Sequence, residues 1–128
     1  MMKLSEMRLI GETAAGGSVT VTAEHPVFGL LYAVEWVDGD LADGGQGVLS
    51  CTLTHSAVDY TLLTLANPLA NADAWYYPRV LVHSEAGAAL TGTSGGDRTM
   101  PVINGVLSLA ITSGGATKTG GCIVYFYE

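Results

Sequence analysis

Positive charge is what this chain has least of. Only five residues are Lys or Arg, at Lys3, Arg8, Arg79, Arg98 and Lys118, against twelve Asp or Glu, for a formal net charge of −7. Phosphate binding needs clustered cations, so five scattered ones argue against a nucleic-acid partner. Charge of either sign is scarce at 13% of residues, about half the share usual for a soluble domain. With 48% apolar residues, part of the surface is expected to lie against another chain.

Long apolar runs are missing too. No window reaches the length of a membrane-spanning helix, and Glu6 interrupts "MMKLSEMRLI" where a signal peptide would need an unbroken apolar stretch. The chain is therefore read as soluble, made in the cytoplasm and without a membrane partner. Cysteine is limited to Cys51 and Cys122, both in strand-like runs. A chain of 128 residues can bury a core without a staple, so both are expected as reduced core thiols. Helical periodicity is nearly absent, which removes the glycine-to-helix cradles that bind nucleotide phosphates.

What remains is strand-like. "SVTVTAE", Ser18 to Glu24, alternates Val19 and Val21 with hydroxyl residues, as a half-buried strand does. A weaker strand, Lys3 to Ile10, precedes it, and Phe28 to Asp38 follows the break at His25-Pro26. In that longer strand, strict alternation puts Phe28, Leu30, Tyr32, Val34 and Trp36 on one face. Further strands are expected at Val48–His55, Tyr60–Leu65, Trp75–His83, Thr99–Ile103, Val106–Thr112 and Cys122–Tyr127, with Asn104-Gly105 as the strongest hairpin signal. The spacing predicts a single domain over residues 1–128 with a short N-terminal arm (1–10). The expected class is all-β: an antiparallel β-sandwich, jelly-roll-like, of about eight strands.

Motifs for chemistry are weak. "DGDLADGGQG" offers Asp38, Asp40 and Asp43 as hard oxygen ligands, but an EF-hand needs an acidic residue at its twelfth position, where Leu49 stands. Its alternative readings are a looser calcium loop and a solvated turn. His25, His55 and His83 lack metal-site spacing, and "GTSGGDR" places Ser94 without the strand-to-helix turn of a nucleophile elbow. No cofactor and no catalysed reaction are expected. The most distinctive group is "AWYYPR", Ala74 to Arg79, in which alternation sets Trp75 and Tyr77 opposite Tyr76. Such a group suits protein contact, the stacking of sugar rings or packing at a sandwich corner. The closing strand "GGCIVYFYE" is apolar or aromatic on both faces and is expected to be covered.

The stretches "GGSVTVTAEHPVFGLLYAVEWVDGDLADG", "NADAWYYPRVLVH", "AALTGTSGGDR" and "KTGGCIVYFYE" give the chain a resemblance to small β-rich virion proteins of tailed bacteriophages, most of all head decoration or cement proteins. That resemblance implies a non-enzymatic protein on the capsid exterior, made in the host bacterial cytoplasm. Its implied partners are the major capsid protein and itself, as a homodimer or homotrimer. The contact residues expected on this reading are Met7, Arg8, Trp75, Tyr76, Tyr77, Arg79, Asp97 and Arg98. A neck or tail component and a carbohydrate-binding module are the rival expectations.

Overall fold

The computed structural model describes residues 2–42, 44–53, 59–65, 73–81 and 98–128. Among these residues ten strands are formed and no helix occurs. They are β1 (Leu4–Glu12), β2 (Val19–Thr22), β3 (Val27–Val37), β4 (Gln46–Leu53), β5 (Asp59–Leu65), β6 (Ala74–Tyr76), β7 (Val80–Leu81), β8 (Arg98–Thr99), β9 (Val102–Thr112) and β10 (Thr119–Tyr127). Eight make one antiparallel sheet in the order β1-β10-β3-β9-β4-β5, with β2 added beside β9 and β6 beside β3. β7 and β8 form a separate two-stranded ladder. The class expected from the alternating pattern is thus the one adopted, in an arrangement compatible with a sandwich.

The sheet folds over because its long strands change partners. β3 pairs β9 through Val27–Leu30 and then lies between β10 and β6. β9 pairs β3 at its start and β4 from Gly105 onward, with β2 taking the side β3 has left. The folded-over halves enclose Leu9, Leu31, Val34, Trp36, Leu49, Cys51, Ile103, Leu107, Leu109, Ile111, Val124 and Phe126. The Trp36 indole rests on Gly47 of β4, where a Cβ would stand 2.8 Å from Cζ3. Burying side chains of this size is worth about 1.5–3 kcal/mol each.

Three expectations are corrected. β3 does not keep one alternation. Tyr125 of β10 pairs Ala33 while its neighbour Phe126 pairs Leu31, so Tyr32 is an extra residue in a β-bulge. The bulge inverts parity: Val34 and Trp36 point into the core, whereas Phe28 is exposed and Tyr32 joins the outer face. Asn104-Gly105 is not a hairpin either, because β9 runs straight through it. Gly105 is needed there for close approach, since a Cβ would collide with the Thr52 carbonyl oxygen. Finally, Trp75–His83 is not one strand; β6 ends at Tyr76 and β7 starts at Val80, with Pro78 between. Proline cannot donate to a ladder.

The first ten residues, expected as an arm, are paired with β10 from Leu4 on. β10 itself lies between β1 and β3, which covers both edges of the closing strand. Cys51 and Cys122 are buried and unbridged.

Candidate functional site: an outer aromatic sheet face

The layer β1-β10-β3-β6 turns one face to the core and one outward. Cross-strand register sets the outer rows. Arg8, Ile123, Glu35 and Trp75 stand side by side, followed by Glu6, Tyr125 and Ala33, and then by Leu4, Tyr127 and Leu30. Tyrosine and tryptophan suit this position because they present a large apolar body with a polar tip.

Rings on this face touch one another in two groups. Trp75 stacks on Tyr125 at a centroid distance of 5.1 Å and an interplanar angle of 27°. Tyr32 meets Tyr127 edge-on at 5.5 Å and Tyr77 at 6.0 Å. Trp75 is 50% exposed and Tyr77 55%, so the cluster offers area to a partner while its own contacts hold the rings in place. Ala33 points outward with the rings yet has no exposure, which places it beneath them.

The charged groups are tied into the same cluster. Tyr125 donates its hydroxyl hydrogen to Glu35 Oε1 at 3.0 Å. Partial burial, reinforced by that carboxylate, pushes the Tyr125 hydroxyl up from its ordinary value. Arg79 donates through Nη1 to the Tyr32 carbonyl at 2.9 Å and to the Pro78 carbonyl at 2.6 Å, with its guanidinium 6.0 Å from the Tyr32 ring centroid. The face is aromatic and carries charged groups beside its rings, which is the composition of contact hot spots.

Of the residues expected to make contacts, Trp75, Tyr77 and Arg79 are assembled here, and Arg8 is exposed on the same face. Met7 and Tyr76 are half-buried, with their side chains packed on the core. Arg98 is exposed but stands on the separate β7-β8 ladder, and Asp97 lies outside the described residues. Alternation alone missed Tyr32, Tyr125 and Tyr127. The last two were recoverable, because they alternate with Cys122, Val124 and Phe126, while Tyr32 was hidden by its bulge.

The acidic loop serves the backbone. Asp38 is buried, with its N–H donating to Asp73 Oδ1 at 3.0 Å and Trp36 Nε1 donating to its Oδ1 at 3.5 Å. Asp40 Oδ1 accepts from the Thr119 N–H. Asp43, His55, His83 and Ser94 lie outside the described residues, and His25 is exposed at the β2–β3 corner. Among the described residues, no group of three or more His, Cys, Asp or Glu side chains is placed to hold a metal ion. No family model, curated protein or solved structure matches this chain.

Proposed function

We propose that this chain is a non-enzymatic virion structural protein of the decoration, or cement, type, which binds the outer surface of a capsid shell through its outer sheet face. The observation that carries the reading is the gathering of two ring groups, Trp75 with Tyr125 and Tyr32 with Tyr77 and Tyr127, on one sheet face. Pre-ordered aromatic area loses little side-chain entropy on docking, and Trp, Tyr and Arg dominate measured interface energies. The net charge of −7 suits a position away from packaged DNA. Many weak, symmetric contacts across subunit junctions would then stabilise a shell collectively.

The test is co-sedimentation with expanded shells of the major capsid protein encoded in the same genome. Trp75→Ala and Tyr77→Ala are each expected to raise Kd about tenfold, a loss of about 1.4 kcal/mol. Their melting temperatures should stay near the parent's because both rings are half exposed. Absence of binding by the parent protein, or undiminished binding by both variants, would refute the reading. Oligosaccharide binding that depends on Trp75, without shell binding, would assign the face to sugar recognition instead. Roughly a dozen copies per particle, rather than hundreds, would move the protein to the neck or tail.

A further inference from the structure

β1 is one of the two end strands of the main sheet, and its pairing fixes which of its backbone groups are left over. Lys3 and Glu128 exchange both of their hydrogen bonds, N–H to carbonyl in each direction. Since the β1–β10 register runs without a shift from Leu4↔Tyr127 to Glu12↔Thr119, the odd residues Ser5, Met7, Leu9 and Gly11 also bond β10. The N–H and C=O groups of Leu4, Glu6, Arg8 and Ile10 therefore point away from the sheet. Among the described residues no strand pairs with them. Beside Ser5–Arg8 there is instead an open cleft of about 860 Å³, bounded on its far side by His25, Pro26 and Phe28.

This edge lacks the devices that keep edge strands apart. It contains no proline and no bulge. It does carry charge, but in a pattern that matches itself. In an antiparallel pair of two such edges, outward-pointing residues must oppose each other, so the paired residue numbers sum to an even value. A sum of 12 sets Glu6 against Glu6, 16 sets Arg8 against Arg8, and 18 sets Glu6 against Glu12. A sum of 14 sets Glu6 against Arg8 twice, places Leu4 opposite Ile10 on both sides of the axis, and puts Met7 on the axis itself. A sum of 20 also joins unlike charges, through Arg8 and Glu12. It does so at the end where β2 crowds the strand, with Val21 Cγ2 2.6 Å from where a Gly11 Cβ would be.

We infer that two copies of this chain associate through their β1 edges, antiparallel and two-fold symmetric, in the register that pairs Glu6 with Arg8 of the second copy. The contact adds main-chain hydrogen bonds from Leu4, Glu6, Arg8 and Ile10 of each copy and joins the two sheets into one. Residues of like parity keep to one side of a sheet, so the two-fold axis stands perpendicular to it. Both aromatic faces then lie on the same side of the dimer. This association does not depend on the capsid reading.

Sedimentation velocity over a concentration series tests it in the absence of any shell. The parent protein is expected to be dimeric. Glu6→Arg places Arg against Arg at two pairs, Arg8→Glu places Glu against Glu, and each is expected to weaken the dimer about tenfold or more. Mixing these two variants restores unlike charges at both pairs, so the mixture should dimerise where neither component does. The double variant Glu6→Arg with Arg8→Glu should recover the parent's affinity. Melting curves establish that each variant is folded, and the recovery in the mixture would not follow from misfolding. A parent protein that stays monomeric up to about 0.1 mM, or variants whose mixture behaves as the average of its parts, would overturn the inference.

Discussion

A Cβ on residue 105 would run into the Thr52 carbonyl oxygen, where β9 exchanges β3 for β4 as its neighbour. Gly105→Ala must push the two strands apart, and its expected cost is about 2–3 kcal/mol by urea unfolding. The exposed neighbour gives the contrast: Asn104→Ala should stay within about 0.5 kcal/mol of the parent. Burial acts on a second residue through its proton. The Cys122 thiol is pushed up to about 12 from an ordinary 9.0 by desolvation, so the unfolded chain releases this proton first. Its contribution to stability is full below pH 9 and is lost as pH rises toward about 12, at a slope near 1.4 kcal/mol per pH unit. Cys122→Ala should remove that part of the alkaline decline in a series of urea melts. Burial, with Cys51 as the second cause, likewise pushes the Tyr60 hydroxyl up to about 12 from 10.0. Tyr60→Phe should accordingly flatten the decline above pH 10.

At the scale of single elements, the two edges of β1 should respond differently to proline. Met7 bonds Val124 across the ladder, so Met7→Pro deletes a donor and strands a carbonyl, at a cost of about 1–3 kcal/mol. The N–H of Arg8 points out of the sheet. Arg8→Pro is expected to be the milder substitution in dilute protein while abolishing edge pairing, with urea melts and sedimentation as the two readouts. β3 shows the other element-scale device. Its single extra residue, Tyr32, lets one strand bury Leu31 on one side of the bulge and Val34 and Trp36 on the other. The same inversion sends Tyr32 outward to meet Tyr77 and Tyr127.

At the scale of the whole molecule, a dimer that presents two aromatic faces on one side can dock through both. The second contact is then intramolecular, and its loss is felt as lost avidity. Glu6→Arg, which spares every ring of the cluster, should weaken shell binding about tenfold or more, and the double charge swap should restore it in the same co-sedimentation assay. Recovery by the swap separates an effect through pairing from direct contact by Glu6 or Arg8.

Much of this fold was legible in the alternation. Val19 and Val21 marked β2, the β-formers of residues 122–127 marked β10, and the scarcity of helical spacing marked the class. The faces of β6 were legible as well, since Trp75 and Tyr77 do oppose Tyr76 in exposure. Other features had no local signal. Asn104-Gly105 is chemically a turn dipeptide, and only the approach of Thr52 from a distant strand explains its place inside β9. The bulge at Tyr32 could not be read from β3, because a bulge is a mismatch in count between two strands. Pro78 was visible, yet its division of the segment into β6 and β7 went unread in a stretch rich in strand formers.

By itself, then, the amino-acid sequence determined that this protein is made of antiparallel strands, which residues have the chemistry to be buried, and that few charges cover its surface. These are local properties, set by side-chain size, branching and polarity at a period of two. Only the tertiary structure decided which strands are neighbours, where parity inverts and which strands stand at the ends of the sheet. Those follow from pairings between residues far apart in the chain, and it is such pairings that gather Tyr32, Trp75, Tyr77, Tyr125 and Tyr127 onto one face.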